Sequence, residues 1–311
     1  MTLHETPIGV DISRDHLDVF CCRSHRFRRV ANTPQAIADL IAQNLDAFFV
    51  FEATSGCDAA LRRLLDQAKI PFARVNPRRA REFARAAGFL AKTDKVDAKA
   101  LAEMGRRLAL VPTQEPSPER RFLSELVTRR DQIVEEIVRE KNRLAQAQCR
   151  LVRADIESHI RVLEGRKEKL ERAIAMHVRD TPELARTADR LRAIPGVGPI
   201  VAATLMAELP ELGTRDRRAI AALAGLAPLA SDSGRHRGRR RIWGGRRKVR
   251  RALFIAALIA SRRCDHWRTL RLRMEQAGKA RKSILIAIAR KMLVAMNAML
   301  RDDTDFKPAA A

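Results

Sequence analysis

The sequence predicts an α/β domain at the N-terminus, a long helical middle and a mostly helical C-terminal domain. Three observations carry this. Short apolar runs bounded by turn residues alternate with amphipathic stretches over the first hundred residues. Residues 119–180 then read as helix with few breakers, and beyond Pro182 the helical pattern continues while the charge turns strongly positive. Pro112, Pro116 and Pro118 mark one boundary and Pro182 the next, so the expected domains are 1–112, 113–181 and 182–311.

The elements follow in order. PIGVDIS and LDVFCC are apolar runs split by a polar turn, a hairpin pattern. Thr33-Pro34 opens a helix, PQAIADLIAQNL. DAFFVFEATSG is a buried-strand run, DAALRRLLDQAK an amphipathic helix and IPFARVNP a short strand, after which a long helical pattern extends to about Leu110. Two strands followed by strand–helix alternation predict a mixed sheet with helices packed on it. In the middle region Ile137, Leu144 and Leu151 recur every seven residues, as do Ile133, Ala147 and Ala154 with Glu140 intruding. This leaky heptad fits a coiled coil between chains or a helical hairpin within one chain.

The chain has 61 Lys and Arg against 37 Asp and Glu, a net charge of +24. Such an excess points to a polyanionic partner, because cationic side chains release counterions from phosphate backbones. A hydrophobic fraction of 46% is enough for a folded core and excludes a disordered basic tail. The charge is uneven: residues 235–251 hold ten Arg or Lys and no acid. These are Arg235, Arg237, Arg239, Arg240 and Arg241, then Arg246, Arg247, Lys248, Arg250 and Arg251. Cys21, Cys22, Cys57, Cys149 and Cys264 form no CxxC pair or zinc spacing, as expected of reduced thiols in a cytoplasmic protein. No membrane-length apolar run and no signal peptide are expected. The absence of tyrosine excludes strand transfer through a phosphotyrosine.

Four acids stand where chemistry gathers. Asp11 ends the first strand, Glu52 ends a later one, and Asp94 and Asp97 open a helix behind a Thr93 N-cap, three apart on one face. Carboxylates so placed suit Mg²⁺ or Mn²⁺, whose charge offsets that of a phosphodiester. Further on, LRAIPGVGPIVAATLMAEL has the form of a helix-hairpin-helix, with Gly196 and Gly198 allowing close approach of a phosphate to the next helix N-terminus. Ser233 follows in Asp232-Ser233-Gly234, beside the densest positive charge. A serine there could attack a phosphodiester, with neighbouring arginines stabilising the developing charge; an ordinary turn is the plainer reading. Trp243 could stack on a base, packing under the loop being the plainer expectation, and His236 and His266 lack partners at metal spacing.

GVDIS, VFEATSG and KTDKVDAKAL together resemble the DEDD transposases of insertion sequences and the related Piv-type DNA invertases. The C-terminal IPGVGPIVAATLMAEL, GLAP, DSG and GRRRIWGGRRKVRRALFIAAL resemble the serine-bearing domain of the same family, in the family's order and over nearly the whole chain. The resemblance implies a RuvC-like, ribonuclease-H-type fold at the N-terminus, with Asp11, Glu52, Asp94 and Asp97 as a metal-binding tetrad. It implies a coiled-coil middle used for assembly, a homo-oligomer, and Ser233 as the nucleophile of a composite active site. It also implies DNA as substrate and a structured non-coding RNA as guide. Three rival readings are a RuvC-like nuclease that uses water, a non-catalytic basic nucleic-acid binder and, last, an actin-like phosphotransferase, for which no Gly-rich phosphate loop is evident.

Overall fold

The computed structural model describes residues 6–54, 56–91, 93–229, 232–233, 236–237 and 240–306, with the backbone alone at 229, 232, 233, 236 and 237. The chain divides into two compact units, Met1–Glu115 and Pro116–Ala311.

The first unit runs β1 (Pro7–Ile12), β2 (His16–Cys21), β3 (Arg26–Ala31), α1 (Pro34–Ala42), β4 (Phe48–Glu52), α2 (Ala59–Gln67), β5 (Phe72–Val75), α3 (Pro77–Ala86) and α4 (Asp94–Arg107). The five strands form one mixed sheet in the order β3-β2-β1-β4-β5. β1, β2 and β3 are an antiparallel meander, whereas β4 and β5 extend it in parallel with β1. The hairpin is the one expected from PIGVDIS and LDVFCC. β3 is an addition: its sequence RFRRVA is mostly exposed, and charge on an edge strand discourages pairing with another chain. The long helix expected to reach Leu110 is two helices, α3 and α4, separated after Gly88, whose φ of +87° ends the first.

Alternation along the strands sorts the core into two faces. Ile8, Val10, Ile12, Phe49 and Phe51 pack under α1 and α2 with Ile37, Leu40, Leu61 and Leu65. Phe48, Val50, Ala73 and Val75 face the other way, onto Ala80 of α3 and Leu101 and Met104 of α4. Gly9 lets α4 lie close to the sheet: a Cβ there would fall 2.0 Å from the Ala98 carbonyl oxygen and 2.4 Å from the Ala102 nitrogen. Position 9 thus sets how near α4 approaches β1.

The second unit begins with α5 (Pro118–Gln146) and α6 (Arg150–Asp180), a helical hairpin joined by residues 147–149. Ile133, Ile137 and Leu163 form its buried seam with Leu170 alongside, and Arg130–Glu171 (2.8 Å) and Lys141–Glu164 (3.0 Å) tie the helices together. The seven-residue series does not stay in one helix. Ile137 is buried and Leu144 half-buried in α5, but Leu151 lies past the break and is 79% exposed. The order continues with α7 (Pro182–Arg192), α8 (Pro199–Glu208), α9 (Arg217–Leu223) and four two-residue strands, β6 (Pro228–Leu229), β7 (Asp232–Ser233), β8 (His236–Arg237) and β9 (Arg241–Ile242). It ends with α10 (Arg247–Arg263), α11 (Asp265–Gln276) and α12 (Arg281–Asp302).

α12 corrects one expectation, for it has the length and mean hydropathy, 1.6 over its most apolar window, of a membrane-crossing helix. Its apolar face is used otherwise. Ile288, Ala289, Met292, Leu293 and Met296 are fully buried in the unit's core with Leu205, Leu226, Leu253 and Ala256.

Candidate metal centre and nucleic-acid surface

Asp11 and Glu52 come together because β1 and β4 are parallel neighbours. Val10 pairs with Phe51, and continuing that register by one residue sets Asp11 beside Glu52. Ile8, Val10 and Ile12 face the α1–α2 side, so Asp11 faces the α3–α4 side, as Glu52 does in step with Phe48 and Val50. α4 supplies the other two acids from its first turn. Thr93 caps the helix, its hydroxyl accepting a hydrogen bond from the Val96 N–H at 3.3 Å, and acids in that turn also meet the positive end of the helix dipole. All four acids line one cleft of about 560 Å³, whose floor includes Ala80, Ala84, Leu101 and Met104.

The electrostatics fit crowded carboxylates. Burial, then the charges of Asp97 and Asp94, raise the Asp11 carboxyl above its ordinary range, against a lowering hydrogen bond from the Ile12 backbone. Asp97 is half-buried, with Arg81 Nη1 at 4.0 Å, and that nitrogen is buried without a hydrogen-bond partner. Asp94 is exposed and accepts a 3.0 Å hydrogen bond from Arg29.

Sequence reasoning missed the group beside this cleft. Asp18 pairs with Asp11 across the hairpin and so shares its face; it is 2% exposed and held by Arg29 through two hydrogen bonds of 2.9 and 3.0 Å. The three-residue turn Ser13–Asp15 was enough to derive that pairing from the sequence. His16 Nε2 lies 3.4 Å from Asp18, and His16, Asp18 and Asp94 offer ligand atoms within 4.8 Å of one another. Arg29 bonds both Asp18 and Asp94, and Asp94 belongs to the trio and to the tetrad alike. Among the described residues Asp11 is in no salt bridge, whereas Asp94 pairs with Arg29 and Asp97 lies 4.0 Å from Arg81.

Two comparisons with known families match this chain. A transposase profile of the DEDD IS110 type matches residues 8–148, and a profile for the IS116/IS110/IS902 transposase family matches residues 188–275. The chain is 31% identical over 236 residues to the pilin gene-inverting protein of Moraxella bovis, covering 75% of this chain and 73% of that one. The pilin gene-inverting protein of Moraxella lacunata is 28% identical over 318 residues, 98% of each chain. A protein of insertion element IS116 from Streptomyces clavuligerus is 33% identical over 145 residues, 45% of this chain and 36% of that one.

The chain belongs to the IS110 and Piv-like transposase family. Its members are enzymes of DNA recombination and transposition.

Gly196 has a φ of +93°, and a Cβ there would meet the Ala256 carbonyl oxygen at 2.5 Å, so this glycine serves packing against α10. Gly198 is the N-cap residue of α8 and has open space around it. The basic segment divides into two kinds of cation. Arg246 grips Glu211 with both terminal nitrogens, one bond being 2.6 Å, and also donates to the Glu208 carbonyl oxygen. Lys248 reaches Glu208 at 2.7 Å and Thr128 at 2.8 Å, and Arg250 donates to the Gly244 carbonyl oxygen at 2.6 Å. Arg251 lies 3.8 Å from Glu135. These four are engaged with the transposase's own groups. Burial opposes ionisation of Glu211, but the Arg246 hydrogen bonds and charge outweigh it and hold the carboxyl below its ordinary range. Arg240, Arg241 and Arg247 are exposed and, among the described residues, in no salt bridge. Trp243 is 54% exposed rather than packed beneath the loop. Ser231, Arg235 and Arg239 lie outside the described residues, as do the side chains of Ser233, His236 and Arg237. The backbone places Ser233 opposite His236 in the β7–β8 pair.

Proposed function

We propose that the protein cleaves and rejoins DNA through a serine–phosphate link, assisted by divalent metal held on Asp11, Glu52, Asp94 and Asp97. The observation that carries this reading is the meeting of four carboxylates in one cleft of a strongly basic chain. Acids repel a phosphodiester unless cations stand between them. The donor set is all hard oxygen, which suits Mg²⁺ or Mn²⁺, and the raised Asp11 carboxyl marks a site short of positive charge. When bound, such ions would neutralise the cleft and polarise the scissile phosphate. The sheet, with acids at strand ends and a helix laid across it, fits a RuvC-like domain.

In this reading the Ser233 hydroxyl attacks phosphorus. A new oxygen–phosphorus bond forms, the bond to the leaving deoxyribose oxygen breaks, the serine proton passes to a base, and the leaving oxygen takes up a proton. A free DNA hydroxyl then attacks the phosphoserine and expels the serine oxygen, which is reprotonated. One phosphoester bond replaces another at each step, so no ATP is needed. Arg81, whose Nη1 lies 4.0 Å from Asp97 and makes no hydrogen bond, lines the cleft and would meet a phosphate oxygen there. The α7–α8 turn serves as a helix-hairpin-helix gripping the backbone, the α5–α6 hairpin serves assembly into a homo-oligomer, and a structured non-coding RNA guides target choice. The domain roles follow: 1–112 catalytic, 113–181 assembly, 182–311 nucleic-acid grip and nucleophile.

The test is to trap the reaction on nicked DNA with Mg²⁺, denature it, digest it and map any adduct. The adduct should fall on the peptide holding Ser231 and Ser233, vanish in Ser233→Ala and in Asp11→Ala, and persist in Ser231→Ala. Cleavage that continues in Ser233→Ala with no adduct would replace this reading with a hydrolytic nuclease. Sequencing the nucleic acid that co-purifies tests the guide.

A further inference from the structure

A groove of the second unit, about 1030 Å³ in volume, is built unlike the acidic cleft. Among its described lining residues seven are cationic and none is acidic. α9 gives Arg217 and Arg218, Arg241 opens β9, and Arg240 directly precedes it. α12 gives three more cations, and among the described residues none of the seven has a salt-bridge partner, in contrast to Arg246 and Lys248. The interior is apolar, with Ile242, Phe254, Ile286 and Val294.

The face that α12 presents here has a regular pattern. Lys282, Ile286, Arg290 and Val294 follow one another four residues apart, so basic and apolar side chains alternate along a single stripe about 18 Å long. The opposite stripe, with Ile288, Met292 and Met296, is buried in the core. The core takes up that face and the edge at Ile286, and leaves Lys282, Arg290 and Val294 of the alternating stripe outside it.

We propose that this groove binds an unpaired DNA strand. The cationic rim needs a polyanion. A duplex would satisfy the rim but leave the apolar floor wet, because its bases are stacked inside and only its backbone and groove edges face outward. An unpaired strand satisfies both, with phosphates on the rim and base faces on the apolar floor. DNA is the occupant because this family's activity is on DNA, and an unpaired DNA strand carries both the phosphates and the open base faces that the groove fits. The inference rests on the functional reading above but is independent of the serine chemistry.

The full chain carrying Ser233→Ala, so that no strand is cut, is titrated with labelled oligothymidine, with its duplex and with oligouridine of equal length, across a range of salt. Each phosphate contact on a single strand contributes about 0.7 to the log–log salt slope, so changing Lys282, Arg290 and Lys291 together to Ser should lower the oligothymidine slope by about 2. Phe254→Ala should weaken oligothymidine about fivefold or more and leave the duplex unchanged. Ile242→Ser, at a position outside the core cluster, should act in the same direction if Phe254→Ala proves unstable. An unchanged slope, or equal loss for the duplex, would overturn the proposal, and a larger loss for oligouridine would reassign the groove to RNA. Either result leaves the Ser233 adduct assay standing. An unaltered chain that binds none of the three probes would defeat both readings.

Discussion

Replacing Gly9 with Ala tests whether the close seat of α4 is what assembles the acidic cleft. The new Cβ would lie 2.0 Å from the Ala98 carbonyl oxygen and 2.4 Å from the Ala102 nitrogen. Both contacts are backbone, so no rotamer change relieves them. Reaching ordinary contact near 3.4 Å requires α4 and β1 to separate by about 1.4 Å along that line. Asp94 and Asp97 ride on α4, whereas Asp11 and Glu52 stay with the sheet, so the tetrad opens by about 1 Å. A misplacement of that size costs on the order of 100-fold in rate. Overpacking of this kind costs about 1–3 kcal/mol, a fall in melting temperature of about 4 °C or more for a unit of this size. Gly165→Ala is the control: it lies in α6 with nothing within 4 Å of the new methyl, and should stabilise the helix by about 1 kcal/mol without touching cleavage. The assay is single-turnover cleavage with Mg²⁺, run well below the melting temperature, with DNA binding measured in parallel. A Gly9→Ala protein with unaltered melting and unaltered cleavage would refute the reasoning.

Asp11→Ala and Glu52→Ala should each abolish cleavage, keep DNA binding within a few-fold, and remove the rise in melting temperature that Mg²⁺ gives the unaltered protein; a retained Mg²⁺ shift would place the metal elsewhere. Glu211 is depressed below its ordinary value of 4.5, so its stabilising contribution is present above that value and lost as pH falls through the lower folded-state pKa. Glu211→Gln should therefore cost about 1–2 kcal/mol at neutral pH, discounted for partial exposure, and show a shallower acid loss in melting experiments. Leu151→Asp, at a position 79% exposed, should leave the monomer's stability nearly unchanged yet reduce the mass in solution if the α5–α6 hairpin mediates assembly; an unchanged mass would remove this end of the hairpin from the interface.

The sequence was legible where local pattern and tertiary demand agree. Asp11 and Glu52 follow apolar runs that can only be buried strands, and Thr93 before Asp94 is a cap on any reading, so the tetrad's elements could be placed before the fold was seen. β3 was hidden because RFRRVA is an edge strand with an exposed, charged character, and periodicity does not separate that from a loop. The break between α5 and α6 was hidden because Ala147, Gln148 and Cys149 include no Gly or Pro. Its support is tertiary: Arg153 Nη1 donates to the carbonyl oxygens of Leu144 and Ala147. The membrane-like composition of α12 shows the same limit from the other side, since an apolar helix buried in a core and one crossing a bilayer share a pattern.

The division among the arginines is the part that no count of charges reaches. A run of ten cations between 235 and 251 reads as a uniform nucleic-acid surface, yet Arg246 and Lys248 are drawn to Glu211 and Glu208, 35 and 40 residues earlier in the chain. Partners so distant in sequence are set by the packing of α8 against α10, not by composition. The consequence for binding is physical: a cation already paired gives up an ion pair before it meets a phosphate, whereas the cations around the apolar groove give up only water. The same logic applies with opposite sign in the first unit. Asp18 is neutralised by Arg29 and has little need of a further cation, while Asp11 is pushed upward by burial and by Asp97 and Asp94. In a chain of net charge +24, an acid so buried and so crowded by other acids is the exception.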